Sequence, residues 1–481
     1  MTTHQATRRE FLRTAGVGAL GALAAGCQSV PTCNHPQDRK RPPNIVFILV
    51  DDLGWAELGC YGNTFNETPN IDQLARDGMR FTTAYSAAPV CSPFRAALMT
   101  GQYPVRTGIT DYLRPNDPKH LSTDYETLPE MLRTAGYVTG IVGKWHLTGY
   151  ANHGAEEVPP SRHGFDEVIV SENRGIADGS YFFPYHFNRE IQQRLPGREY
   201  LVDRCNLEAV EFIERHRDGP FFLYLSHYAI HTKLVGKPKL VAKYEAKPDA
   251  GKGAQAAHNN PHLAAQLEIV DQGVGMIRDK LQALGLSENT MLIFTGDNGG
   301  EKRVTSNAPW RAGKSTLYEG GIREPLIIHW PGVTQPGSLC DTPVCTIDFY
   351  PTFAEFARRT PPRTQLVDGI SLVPLLRDPR ALLPRDTLYW HYPLATSHFL
   401  GGRSVGAIRK GDWKLLEFFD TGELQLYNLA EDPGEQHNLV IQRDDKAKEL
   451  TDALHTWQRQ VRATFPPGQP KTLEQQPNGN P

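Results

Sequence analysis

Asn44-Ile45-Val46-Phe47-Ile48-Leu49-Val50-Asp51-Asp52 reads as an uninterrupted apolar strand that stops on two carboxylates. A continuous apolar run of this length, without alternation, is the pattern of a parallel strand buried on both faces. The segments that follow keep the same grammar. Thr68-Pro69 opens a helix with Thr68 as N-cap and Pro69 in the first turn, and Gly78 stops it. Residues 128–134 make a second helix, 137–142 a strand and 221–225 another strand. Leu263, Leu267, Val270, Val274, Ile277, Leu281 and Leu284 step by threes and fours, which is one face of a long structural helix. Residues 291–294 then form a strand. Strands alternating with helices imply an α/β fold with a mostly parallel central sheet flanked by helices.

Near residue 376 the pattern changes. Short strands are predicted at 388–392, 404–409, 413–418 and 424–428, with Gly411-Asp412 and Thr421-Gly422 as turns and a helix near 446–461. This is a small antiparallel sheet with a helix. The division is an export segment at 1–27, a linker at 28–43, a catalytic domain at 44–375, a C-terminal subdomain at 376–465 and a disordered tail at 466–481.

The chain has 481 residues, with 51 basic and 54 acidic side chains, and a net charge of -3. No basic excess points to nucleic acid, and no nucleic-acid partner is expected. Arg8-Arg9 ahead of the small apolar run 15–25 has the shape of a twin-arginine export signal, too short for a bilayer span of about 30 Å. Leu23-Ala24-Ala25-Gly26-Cys27 resembles a lipoprotein cleavage box, although Ala24 sits where leucine is commoner. Cys27 is thus a candidate lipid anchor, the other reading being simple cleavage near Ala25. Either way the protein is exported, to be periplasmic, secreted or membrane-anchored. Of the seven cysteines, Cys340 and Cys345 are close enough in sequence to pair, which the sequence does not decide.

Chemistry-bearing residues follow the strands. Asp51-Asp52, Lys144-Trp145-His146, His227 and His231, and Asp297-Asn298 each succeed a strand, and ligands bind outside the carboxyl ends of strands in open α/β sheets. Asp297-Asn298-Gly299-Gly300 alone reads as a turn; four such ends together are hard to attribute to turns. Asp51, Asp52, Asp297 and Asn298 are hard oxygen donors, suited to calcium or magnesium rather than zinc. Cys91 precedes a helix that starts near residue 92, where the N-terminus favours an anion and a thiol of lowered pKa; the alternative is a buried structural cysteine.

Cys91-x-Pro93-x-Arg95 followed by Thr100-Gly101 resembles the signature of the type I sulfatase family, of the alkaline phosphatase superfamily. The resemblance continues in order through Thr68–Asp72, Gly143–Leu147, Gly164–Asp166, Gly296–Gly300, Arg311–Lys314, Glu319–Gly321, Lys410–Lys414 and Leu426–Leu429. It implies that a maturation enzyme oxidises Cys91 to formylglycine (3-oxoalanine), whose hydrate is the nucleophile for a sulfate ester of a carbohydrate or aryl group. It implies one calcium ion held by Asp51, Asp52, Asp297, Asn298 and residue 91. Arg95 and Lys144 would hold residue 91 and the sulfate, His146 would bond the hydrate, Lys314 would bind sulfate, and His231 would protonate the leaving oxygen. A phosphonate monoester or phosphodiester hydrolase with the same modified cysteine is the alternative. The chain departs from the family at Phe94, where a small polar residue is commoner, and at Lys233, where proline is frequent. Lys233 reads either as a substrate-cleft cation or a solvated lysine, and Trp310 either as a sugar-stacking ring or a packed aromatic.

Overall fold

The computed structural model describes residues 41–150, 158–174, 179–362 and 364–467. The export segment, Cys27, most of the linker and the tail from 468 lie outside the described residues.

Among the described residues, nine strands form the central sheet: β1 (Asn44–Val50), β2 (Met79–Tyr85), β3 (Val138–Gly143), β4 (Glu167–Ile169), β5 (Phe221–His227), β6 (Thr290–Gly296), β7 (Arg323–His329), β8 (Ser338–Cys340) and β9 (Val344–Cys345). Their order is β4-β3-β5-β1-β6-β7-β2-β8, with β9 also on β2. The apolar run lies in the middle, parallel to β5 on one side and β6 on the other. Ile45 to Val50 are all 0% exposed, as their unbroken hydrophobicity requires. Each such side chain contributes roughly 1.5–3 kcal/mol relative to exposure.

The sheet is mixed. β7 runs antiparallel to both β6 and β2, a reversal that the parallel pattern did not foretell. The helix Pro261–Ala283 packs with the helix Leu201–Arg215 on one face, contributing Leu263, Leu267, Val270, Val274, Ile277 and Leu281 to that core. Asn260 caps it, its side chain accepting the N–H groups of His262 and Leu263. Thr68 stands at the N-cap of the helix Pro69–Asp77, yet its hydroxyl does not cap that helix; it donates to Asp72 at 3.1 Å. On the other face the helix Cys91–Thr100 is wholly buried, with Phe94, Ala96, Leu98 and Met99 in a second core that includes Phe349 and Phe353.

Four strands, β10 (Thr387–Tyr392), β11 (Val405–Lys410), β12 (Trp413–Phe418) and β13 (Glu423–Asn428), form an antiparallel sheet covered by the helix Asp444–Gln460. Its core is continuous with Tyr85, Val90 and Ala97 of the larger unit. Buried charges lock this junction: Lys414 Nζ lies 2.8 Å from Glu319 and 2.9 Å from Glu435. Cys340 and Cys345 are both free thiols on separate strands, so they do not pair.

Candidate active site

The parallel register brings four strand ends to one rim. Val50 lies level with His227 on β5 and Gly296 on β6, while Gly143 of β3 lies level with Ser226. Asp51, Lys144 and Asp297 therefore leave the sheet side by side. Asp52 adopts φ 61° and His146 φ 55°, left-handed values that a non-glycine residue holds only when its surroundings impose them. For Asp52 the backbone N–H donates to Asp297 Oδ1 at 2.9 Å.

Three carboxylates face three cations here. Lys144 Nζ lies 2.5 Å from Asp51 Oδ2, and Lys314 Nζ lies 2.7 Å from both Asp52 oxygens. Arg95 Nη2 donates to Asp297 Oδ2 at 3.0 Å, and its Nη1 to Ser226 Oγ at 2.6 Å and the Lys144 carbonyl at 2.9 Å. Arg95 is 0% exposed and braces Asp297 and the Lys144 backbone, with its Nη2 also 3.7 Å from Asp51 Oδ1. Burial alone would raise the Asp51 carboxyl, but Lys144, His231, Arg95 and Lys314 hold it well below the usual carboxylate range. Burial and the nearby Asp51 charge push Asp297 up to about 7.

Cys91 opens its helix, and its Sγ lies 3.3 Å from Asp51 Oδ1. The sequence predicts a thiol of lowered pKa at this helix terminus. The structure reverses that expectation: burial and the Asp51 charge push the thiol well above its ordinary value. Both oppose a thiolate, and the helix dipole is the weaker influence.

Ligand atoms from Asp51, Asp52, Cys91 and Asp297 all lie within 4.8 Å of one another. Asn298 donates its amide to Asp52 Oδ1 at 2.8 Å, while its own Oδ1 is buried without a partner. An unpaired buried oxygen beside crowded carboxylates is what a hard divalent cation would satisfy, so the residues fit such an ion.

Of the histidines, His231 comes nearest residue 91 among the groups of ligand atoms in the described residues. An imidazole nitrogen of His231, an Asp51 oxygen and Cys91 Sγ lie within 4.8 Å of one another. His231 Nδ1 donates to the Thr232 carbonyl at 2.5 Å, which leaves Nε2 facing Asp52 at 3.8 Å. His227, the competing histidine, is 1% exposed with both ring nitrogens unpartnered, and burial pushes its imidazole down to about 3. His146 Nε2 donates to the Leu113 carbonyl at 2.9 Å, leaving Nδ1 unpaired. Lys233 is exposed. Trp310 is packed, edge-on to Trp55 at 5.2 Å and under the Arg323 guanidinium at 3.9 Å.

Sequence reasoning missed the residues that position these groups. Glu172 accepts the N–H groups of Trp145 and His146, at 3.1 and 2.5 Å. Asn307 spans the Lys314 turn, accepting the Gly300 N–H at 2.9 Å and donating to the Ala312 carbonyl at 3.2 Å. Tyr181 donates to the carbonyl of His231 at 2.9 Å. Lone Glu, Asn and Tyr residues in irregular segments carry no local signal for such roles.

Comparison with known proteins agrees with this architecture. The family model described as Sulfatase matches residues 43–358, and that of the N-sulphoglucosamine sulphohydrolase C-terminal region matches 311–464. N-acetylgalactosamine-6-sulfatase of Rattus norvegicus is 34% identical over 447 residues, covering 85% of this chain and 75% of its own. Arylsulfatase A of Homo sapiens is 34% identical over 452 residues, covering 83% of this chain and 84% of its own. The crystal structure of Ps i-CgsB in complex with k-i-k-neocarrahexaose superposes with a TM-score of 0.75 at 30% identity, covering 87% of this chain and 93% of that one. With both family models in place from 43 to 464 and relatives at this identity along most of the chain, the protein belongs to the type I sulfatase family of the alkaline phosphatase superfamily and is a sulfuric ester hydrolase.

Proposed function

We propose that this protein hydrolyses a sulfate ester of a carbohydrate, with residue 91 as nucleophile after a maturation enzyme oxidises Cys91 to formylglycine, and with one calcium ion held by Asp51, Asp52, Asp297, Asn298 and residue 91. The observation that carries the reading is the contact of Cys91 Sγ with Asp51 at 3.3 Å inside a buried ring that also holds Lys144 and Lys314. Relatives named N-acetylgalactosamine-6-sulfatase and the Ps i-CgsB structure in complex with k-i-k-neocarrahexaose support a sulfated saccharide.

Oxidised residue 91 supplies a hydroxyl nucleophile where a thiol of raised pKa would be weak. Calcium, when bound, supplies positive charge opposite the negative charge that builds on the sulfuryl oxygens. The chain's own residues do the rest. Lys314 offers its ammonium at the mouth and Lys144 offers its own beneath, both against the same developing charge. With its Nδ1–H held on the Thr232 carbonyl, His231 gives a proton from Nε2 as the imidazolium, a charge that burial and Lys314 oppose and that Asp52 and Asp51 favour. That proton goes to the departing oxygen, an effect of about 10²–10⁴-fold. His146, with Nε2–H committed to Leu113, accepts a proton at Nδ1 from residue 91.

The twin-arginine pattern supports export, followed either by lipidation at Cys27 or by simple cleavage near Ala25. A reporter fused behind residues 1–27 tests this: appearance only in the cytoplasm would exclude it.

The test of the reaction is sulfate release from defined sulfated saccharides by protein coexpressed with a formylglycine-generating enzyme, beside Cys91→Ala. Release is expected from the oxidised protein and lost in the variant. Equal release by both removes residue 91 from the mechanism. Hydrolysis of phosphonate or phosphodiester substrates in place of sulfate esters, with residue 91 confirmed oxidised by mass spectrometry, replaces the sulfate reading.

A further inference from the structure

The reacting groups are rimmed by three segments distant in sequence. Tyr112 precedes Leu113, the carbonyl partner of His146. Glu301 accepts the Thr232 hydroxyl at 2.8 Å and Arg303 Nε at 2.6 Å, tying residues 301–303 to the neighbour of His231. Gly402, from the loop between β10 and β11, lies directly on the carbonyl of Ser315, which follows Lys314; a Cβ there would fall 2.0 Å from that oxygen. This loop closes on itself, His398 N–H donating to the Gly402 carbonyl at 2.7 Å and Gly401 N–H to the His398 carbonyl at 2.8 Å. The C-terminal sheet thus delivers one stiff loop to the Lys314 turn.

The three segments meet through their side chains. His398 stands edge-on to Tyr112 with centroids 5.4 Å apart, and Phe399 stacks on His398 at 4.4 Å. The Arg303 guanidinium lies 5.2 Å from the Phe399 centroid. Phe399 is nevertheless 68% exposed, whereas His398 is 7% exposed. Among the described residues the other large exposed apolar side chains are aliphatic, so this is a solvent-facing ring fixed in place at a rim. His398 Nδ1 accepts the Leu400 N–H at 3.1 Å, so the neutral ring carries its proton on Nε2 and can donate from there. A flat apolar face edged by guanidinium and imidazole N–H donors matches a pyranose, which offers a C–H face and a girdle of hydroxyls.

We propose that Phe399, flanked by Arg303 and His398, is the platform that binds the sugar ring bearing the sulfate and so sets the preference for saccharide over simple aryl esters. The inference rests on the sulfate-ester reading above and names the site's leaving-group chemistry. Arg303 and His398 donate to ring hydroxyls, and Phe399 takes the C–H face.

The test uses full-length protein with residue 91 oxidised. Wild type, Phe399→Ala, Arg303→Met and, as a control exposed elsewhere, Leu382→Ala are assayed on 4-nitrophenyl sulfate. They are also assayed on a panel of N-acetylgalactosamine 6-sulfate, glucosamine 6-sulfate and sulfated neocarrahexaose. In both platform variants the saccharide-to-aryl ratio of kcat/KM is expected to fall about fivefold to tenfold, carried by KM, with the ratio unchanged in Leu382→Ala. An unchanged ratio in both platform variants overturns the proposal, as does an equal loss on both substrates through kcat. Wild type that hydrolyses the aryl ester and no saccharide leaves the hydrolase reading standing and removes the platform. Wild type that hydrolyses neither removes the sulfate-ester reading and the platform with it.

Discussion

The Glu172 carboxylate accepts the backbone N–H of His146 at 2.5 Å, clamping a residue whose backbone stands in the left-handed region at φ 55°. The same carboxylate accepts the Trp145 N–H and, at 2.7 Å, the Tyr228 hydroxyl. One buried side chain thus fixes the turn that carries Lys144 and His146. Glu172→Gln keeps the shape but turns one acceptor into a donor facing N–H groups. It is expected to lower kcat at least tenfold and to cost about 1–3 kcal/mol of stability. Steady-state kinetics beside denaturant unfolding check this, and a variant with full kcat would show that the turn holds without it.

Asn298 Oδ1 is buried without a partner, next to three carboxylates. Calcium is expected to raise the unfolding temperature reversibly, with about 2.7 kcal/mol gained at one hundred times Kd. Asp297→Asn should abolish most of that gain. Differential scanning calorimetry with calcium and with chelator measures it; identical curves in the two buffers would exclude a calcium site.

An imidazole nitrogen of His231 lies within 4.8 Å of Cys91 Sγ, whereas His227 is buried with both ring nitrogens unpartnered. His231→Ala is expected to lower kcat about 10²–10⁴-fold on a saccharide ester, and far less on 4-nitrophenyl sulfate, whose leaving group needs no proton. His227→Ala should lose stability while keeping the ratio between the two substrates. A comparable loss on both esters for His231→Ala would deny it the role of acid.

Glu57 is 3% exposed, bonded to Asn66 at 2.8 Å and to the Thr305 hydroxyl, and burial pushes its carboxyl from 4.5 up to about 7. A raised carboxyl pKa means that the folded state binds the proton more tightly than the unfolded chain. Its stabilising contribution is therefore present below pH 4.5 and is lost as pH rises to about 7. The loss is of order 3 kcal/mol for a shift of this size. Glu57→Gln should remove it, so the variant's stability relative to wild type is expected to rise between pH 5 and pH 8. Urea midpoints at the two pH values give the answer, and a constant difference would contradict the assignment.

The apolar run Asn44–Val50, the apolar face of Pro261–Ala283 stepping by threes and fours, and the turn-bounded short strands β10–β13 declared their elements because such patterns are written within a dozen residues or so. The carboxylates, lysine, asparagine and histidine of the rim were legible for a related reason: each follows a recognisable strand, and parallel strands end on the same side. Residue types at strand ends pointed to a polar rim with hard oxygen donors, and the resemblance of Cys91–Arg95 and the ordered segments after it to the sulfatase signature supplied the reaction.

What local pattern could not decide was which distant group each residue would meet. The antiparallel insertion of β7 beside β6 and the clamps of Glu172 on His146 and Asn307 on the Lys314 turn are examples. So is the raised thiol of Cys91, where burial and Asp51, forty residues away, overrule the helix terminus. Periodicity reports whether a side chain faces water or core, a property of one element. Hydrogen-bond partners, desolvation and charge neighbours arise only when several elements pack, because those energies depend on distances of a few ångströms between segments that the sequence keeps far apart.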